Sequence, residues 1–202
     1  MSPASEPRTS RALRQLPNVI TVLRALLIPV IGGLLVHERY EAAFWTLLAS
    51  AASDFVDGRI ARRFDARTRF GAIADPLADK LTMLTVTALL AWQGLLPVWL
   101  AGAIILRDVL IVGGALAYHR LIGTVEVVPT QLSRLNTALE FTALAAVIAT
   151  AAQLVDLGGL LPWLLVAVFV TVIASGTQYV WIWSRRALAA RRTRRAGAGR
   201  PI

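Results

Sequence analysis

Hydrophobic positions fall into six long blocks separated by short polar stretches. The blocks cover about 18–36, 42–61, 71–92, 97–118, 132–154 and 161–183. A helix needs roughly 20 apolar residues to cross a hydrocarbon core of about 30 Å, and each block is close to that length. The pattern predicts an all-α integral membrane protein with six transmembrane helices. No intervening stretch has room for a soluble domain, so residues 18–184 read as one membrane domain. Residues 1–17 are polar, with Pro3, Pro7 and several Arg, and show no clear signal-peptide cleavage site. Within them, Arg8 to Leu16 alternates Arg with Leu at helical spacing. That piece reads either as a short interfacial helix or as a solvated basic segment. Residues 185–202 read as a basic, disordered tail.

The positions of Arg set an orientation. Arg8, Arg11 and Arg14 precede block one, and Arg62, Arg63, Arg67 and Arg69 lie between blocks two and three. Arg120 and Arg134 flank the loop between four and five, and seven Arg follow block six. The opposite loops hold only Arg39. Basic residues concentrate on the cytoplasmic side, so both termini are expected there. Trp92, Trp99, Trp163, Trp181 and Trp183 lie near block ends, as interfacial anchors do.

Composition narrows the chemistry. The chain has 202 residues, 56% hydrophobic and 16% charged, which excludes intrinsic disorder. It has no cysteine, which removes disulfides, thiolate metal sites and thiol nucleophiles. Two His leave little for a His-rich zinc site. The net charge of +9 sits on a chain too apolar for a nucleic-acid binder and points to anionic lipid head groups.

Ionisable residues inside apolar blocks are costly and commonly functional. Asp54 and Asp57 end block two; Asp75, Asp79 and Lys80 open block three; Arg24, Arg107 and Asp108 fall inside blocks one and four. The pairs are spaced i, i+3 and i, i+4, so each shares one helix face. Both pairs belong at the cytoplasmic ends of consecutive antiparallel helices, where they can converge. Four such carboxylates repel one another unless a cation is present, and oxygen-only ligands select Mg²⁺, Mn²⁺ or Ca²⁺. Gly58, Ala61 and Gly71 allow close approach of a ligand or of another helix. Arg62 offers a forked donor to phosphate oxygens or serves as a loop charge. Taken alone, the acids also suit an ion or proton transporter.

Together these residues read Asp54-x2-Asp57-Gly58-x2-Ala61-Arg62-x8-Gly71-x3-Asp75-x3-Asp79. The chain here resembles the CDP-alcohol phosphotransferase (CDP-alcohol phosphatidyltransferase) family, whose signature D-x2-D-G-x2-A-R-x8-G-x3-D-x3-D it matches at every fixed position. The run Pro17-Asn18-Val19-Ile20-Thr21-Val22-Leu23-Arg24 is similar to the P-N-x-x-T-x-x-R opening of many members. The resemblance implies transfer of a phosphatidyl or related group from a CDP-linked donor to an alcohol, with release of CMP. It implies Asp54, Asp57 and Asp75 as principal ligands of one or two divalent ions, Mg²⁺ or Mn²⁺. Asp79 would be the general base for the acceptor hydroxyl and a contact to a second ion. Gly58, Ala61, Arg62, Gly71, Asn18 and Thr21 would form the CDP-diacylglycerol site. Homodimerisation and a bacterial inner-membrane location are further expectations.

The acceptor is read from two segments. Pro129-Thr130-Gln131-Leu132-Ser133-Arg134-Leu135-Asn136-Thr137 is similar to the P-T-x-x-S-K-x-N-T segment of eukaryotic-type cardiolipin synthases, with Arg134 for Lys. Ala174-Ser175-Gly176 to Tyr179 resembles the same subgroup. Block four carries Arg107-Asp108, but Ala115-Leu116-Ala117-Tyr118 stands where glycerol-3-phosphate-using relatives carry a second Arg-Glu. That loss favours phosphatidylglycerol, a phosphodiester, over dianionic glycerol-3-phosphate, which stays as the alternative. Arg107 and Arg134 are the expected contacts for the acceptor phosphate, with Ser133 and Asn136 as secondary polar contacts. Arg107 also reads as a partner of Asp108, and Arg134 as a topogenic charge. Arg24 and Lys80 are left between the donor diphosphate and the acid cluster. An intramembrane prenyltransferase would need a different Asp arrangement.

Overall fold

A computed structural model describes the backbone of residues 25–63, 69–121 and 130–198. Side chains are described over 25–53, 77–114, 116, 120 and 130–185. The described residues form six helices and no strand. These are α1 (described over Ala25–Val36), α2 (Tyr40–Arg63), α3 (Arg69–Trp92), α4 (Val98–Leu121), α5 (Gln131–Ala151) and α6 (Leu161–Ala198). Each apolar block thus contains one helix. The Arg8–Leu16 segment lies outside the described residues. α6 runs through 185–198, where the charge run suggests a disordered tail. Ala and Arg, which dominate that stretch, are both strong helix formers.

The apolar part of α6, Leu161–Arg185, and all of α5 are long and apolar enough to cross a membrane, and Ala25–Val36 is a shorter apolar helix. α2 carries Asp54, Asp57, Arg59, Arg62 and Arg63 in its last ten residues, which lowers its mean hydropathy. Large apolar side chains also face outward, including Leu77, Leu81 and Leu84 on α3, Val109 and Val112 on α4, and Val166 and Val170 on α6. A soluble surface does not tolerate apolar cover on that scale.

The chain divides into two compact units. The first comprises residues 1–93 with 148–156, and the second 94–147 with 157–202. In the first unit Ile31 and Leu35 of α1, Ala43 and Leu47 of α2, and Val86 and Leu90 of α3 are buried. Gly32 lets α1 approach α3: a Cβ there would sit 3.6 Å from Thr85 Cγ2 and 3.7 Å from Leu89 Cδ1. Gln93 Nε2 donates to the Leu35 carbonyl at 2.6 Å and ties the ends of the same two helices.

Two helix ends in this unit close with the same cap. After α1, the Glu38 N–H donates to Leu35 O and the Arg39 N–H to Leu34 O, with Glu38 left-handed at φ 56°. After α5, the Gln153 N–H donates to Thr150 O and the Leu154 N–H to Ala149 O, with Gln153 at φ 57°. Both are Schellman motifs in which a non-glycine residue takes the position glycine usually fills.

In the second unit α4 packs against α6. Trp99 meets Phe169 edge to face at 5.1 Å, Arg107 meets Ser175, and a Cβ on Gly114 would lie 3.1 Å from the Trp183 ring. These contacts advance together along both helices, so α4 and α6 run parallel. α5 is antiparallel to α6, because Thr130 bonds Gln178 while Asn136 bonds Thr171. Thr130 also caps α5, its Oγ1 accepting from the Ser133 N–H at 3.2 Å.

Candidate active site

The acid motif straddles the junction of α2 and α3 in the first unit. Asp54, Asp57, Gly58, Ala61 and Arg62 occupy the C-terminal part of α2; Gly71, Asp75 and Asp79 occupy the N-terminal part of α3. At 100° per residue, Asp54 and Asp57 stand about 60° apart and Asp75 and Asp79 about 40° apart around their helices. Five residues separate Arg63 from Arg69, so chain connectivity keeps the two helix ends within about 20 Å. Of these site residues only Asp79 has a described side chain, and it is exposed. Lys80 beside it is half-buried. The side chains of the other motif residues, and Asn18, Thr21 and Arg24 altogether, lie outside the described residues.

The four expected acceptor residues all lie in the second unit, and the structure treats them differently. Arg107 is 3% exposed, deep on α4. Its Nη1 donates to Asp108 Oδ1 at 2.7 Å, and its Nη2 to Ser133 Oγ at 2.7 Å and Ser175 Oγ at 3.1 Å. Its Nε–H is buried without a hydrogen-bond partner among the described residues. Gly176 clears room for the side chain, since a Cβ there would sit 3.8 Å from Arg107 Cγ. The pairing of Arg107 with Asp108 is thus present, and Ser133 belongs to the same cluster. Asn136 is fully buried: its Oδ1 accepts from Thr171 Oγ1 at 2.9 Å and its Nδ2 donates to Glu140 Oε2 at 3.3 Å. Arg134 is exposed, and its guanidinium has no hydrogen bond or ion pair among the described residues.

These bonds form a polar seam along α5 and α6. Thr130 donates to Gln178 at 2.9 Å, Ser133 and Ser175 share Arg107, and Asn136 accepts from Thr171. Inside an apolar pair of helices such bonds fix rotation and register, because slipping would leave polar groups unpaired. Glu140, Thr171 and Gln178 were not among the expected site residues. Their spacing from Asn136 and Ser175 on single helix faces was the available signal.

A family model described as CDP-alcohol phosphatidyltransferase matches residues 14–174. The chain belongs to the CDP-alcohol phosphatidyltransferase family. It is 37% identical over 179 residues to a cardiolipin synthase (CMP-forming)/mitochondrial hydrolase fusion protein of Schizosaccharomyces pombe, covering 81% of this chain and 30% of that one. It is 30% identical over 163 residues to a cardiolipin synthase (CMP-forming) of Homo sapiens, covering 73% and 54%. It is 43% identical over 100 residues to the chloroplastic CDP-diacylglycerol–glycerol-3-phosphate 3-phosphatidyltransferase 1 of Oryza sativa subsp. japonica, covering 50% and 30%. The chain therefore spans between about a third and a half of the length of these relatives.

CDP-alcohol phosphatidyltransferases are membrane-associated, use CDP-linked donors and alcohol acceptors, and generally depend on a divalent metal. The residues here fit such an ion. Two carboxylate pairs on consecutive helix ends offer an all-oxygen donor set, which suits a hard divalent cation. Among the residues with described side chains no group of three potential ligands occurs, and three of the four motif acids lie outside that set.

Proposed function

We propose that this CDP-alcohol phosphatidyltransferase moves a phosphatidyl group from CDP-diacylglycerol to phosphatidylglycerol, giving cardiolipin and CMP. The observation that carries the reading is the complete acid motif on α2 and α3, within a region similar to proteins named cardiolipin synthase. Asp54, Asp57 and Asp75 hold one or two Mg²⁺ or Mn²⁺ ions. When bound, the metal neutralises the donor diphosphate and eases departure of CMP. Gly58, Ala61 and Gly71 leave room for the CDP moiety, and Arg62, Asn18 and Thr21 supply polar contacts. Asp79 takes the proton from the acceptor hydroxyl as its oxygen attacks the phosphorus, a contribution of about 10²–10⁴-fold for a positioned base.

Arg134 meets the acceptor phosphate from its exposed position. Arg107 presents its remaining N–H groups from within the cluster of Asp108, Ser133 and Ser175. Asn136 contributes by holding α5 to α6. Asp108 offsets the charge of Arg107, which leaves the site better matched to a singly charged phosphodiester than to a dianion. All six helices cross the membrane, with the acid motif and both termini on the cytoplasmic side. We place the protein in a bacterial inner membrane, as a homodimer.

A second reading has glycerol-3-phosphate as acceptor, and the Oryza sativa relative favours it. Supplying each acceptor separately with CDP-diacylglycerol tests the choice: cardiolipin from phosphatidylglycerol alone supports the first reading, and phosphatidylglycerolphosphate from glycerol-3-phosphate alone supports the second.

A further inference from the structure

A feature of the first unit lies far from the acid motif. Arg39 ends the α1–α2 turn, and Asp54, the nearest residue of the motif, lies fifteen residues further on along α2, about 22 Å at the helical rise. Arg39 lines two hollows. One, of about 650 Å³, is an otherwise apolar groove along α1 formed by Pro29, Val30, Gly33 and Leu34 and closed by His37 and Arg39. The other, of about 400 Å³, adjoins it through Arg39 and carries Glu38, Tyr40, Glu41 and Gln153. In the Schellman cap of α1, Leu34 and Arg39 hold the two positions that usually make an apolar contact. Arg39 is exposed there and belongs to the lining of both hollows. Its guanidinium has no hydrogen bond or ion pair among the described residues. Arg39 is also the single basic residue in the loops that the charge pattern puts outside the cytoplasm, where basic residues are disfavoured.

The order of chemistries is apolar groove, guanidinium, then two carboxylates. A phospholipid whose phosphate is followed by a primary ammonium has the same order. We propose that the two hollows form a binding site for a phosphatidylethanolamine-type lipid of the leaflet facing the α1–α2 turn. An acyl chain lies along Pro29, Val30, Gly33 and Leu34, the phosphate pairs with Arg39, and the ammonium donates to Glu38 and Glu41. The inference rests on the reading that α1 and α2 cross a bilayer. The carboxylates disfavour an anionic head group, and a quaternary ammonium has no N–H to give them.

The test is lipid retention by the purified full chain in detergent, counted by native mass spectrometry. Palmitoyl-oleoyl phosphatidylethanolamine, phosphatidylcholine and phosphatidylglycerol are each added at equal concentration. Phosphatidylethanolamine is expected to be retained about fivefold better than phosphatidylcholine, the scale of one exposed ion pair. The double variant Glu38→Gln/Glu41→Gln should bring the two level, and Arg39→Gln should lower both. Gly33→Leu should also lower both by filling the groove; a Cβ at Gly33 meets nothing within 4 Å. Each variant's melting temperature is compared with that of the unaltered chain to verify folding. Equal retention of phosphatidylethanolamine and phosphatidylcholine by the unaltered chain, stronger retention of phosphatidylglycerol, or undiminished binding by folded Arg39→Gln overturns the site. Failure of CMP release would count against the proposed reaction and leave these readouts intact.

Discussion

A guanidinium presents five N–H donors in a rigid fork, and Arg107 gives three hydrogen bonds to its own chain. Lysine cannot reproduce that geometry, because its donors radiate from one point. Arg107→Lys should therefore raise the KM for the acceptor about tenfold or more, the scale of one lost charge-assisted bond, and leave the KM for CDP-diacylglycerol unchanged. Equal changes in both would contradict an acceptor-side role. Ser175→Ala removes one neutral partner and should destabilise the protein by about 0.6 kcal/mol, the average for such bonds within membranes. Thermal unfolding in detergent would check it. Asp79→Asn should cost about 10²–10⁴-fold in rate, read as CMP release. Arg107, Ser133 and Asn136 stood out in the sequence as polar residues beside or within apolar blocks. Thr171, the partner of Asn136, and Gln178, the partner of Thr130, were marked only by their spacing from Ser175 on one face of α6, too weak a signal to single them out.

At the scale of elements, each of the six apolar blocks anticipated one described helix, and two of these, α5 and the apolar part of α6, are long and apolar enough to cross a membrane. The caps were less legible. Glu38 and Gln153 adopt a left-handed backbone that glycine would have announced. Gln153→Gly should relieve that conformation and stabilise the protein by about 1 kcal/mol. An unchanged or lower melting temperature would show that the cap carries no strain. Neighbouring glycines of α4 make a sharper pair. A Cβ at Gly114 would press on the Trp183 ring at 3.1 Å, whereas one at Gly113 meets nothing within 4 Å. Gly114→Ala should destabilise by about 1 kcal/mol or more through overpacking. Gly113→Ala should stabilise by up to about 1 kcal/mol through helix propensity. Parallel melting curves test the difference, and equal shifts would contradict the packing of α4 on α6.

For the whole molecule, the acid motif made the family legible because eight fixed positions at set spacing tie composition to one chemistry. The acceptor was not legible to the same degree, since its residues are spread over α4, α5 and α6 and each has a structural use as well. Orientation can be tested directly, because the chain has no cysteine of its own. A single cysteine at Gln153 should react with an impermeant maleimide from outside intact cells, and one at Arg120 only after permeabilisation. The reverse would invert the topology. Purified protein in lipid–detergent micelles is given CDP-diacylglycerol with a divalent metal and either phosphatidylglycerol or glycerol-3-phosphate, with Asp79→Asn as the blank. CMP release and cardiolipin formation with phosphatidylglycerol only, both lost on chelation, is the predicted result. Product from glycerol-3-phosphate only would contradict the assigned acceptor, and no CMP with either would contradict the proposed reaction.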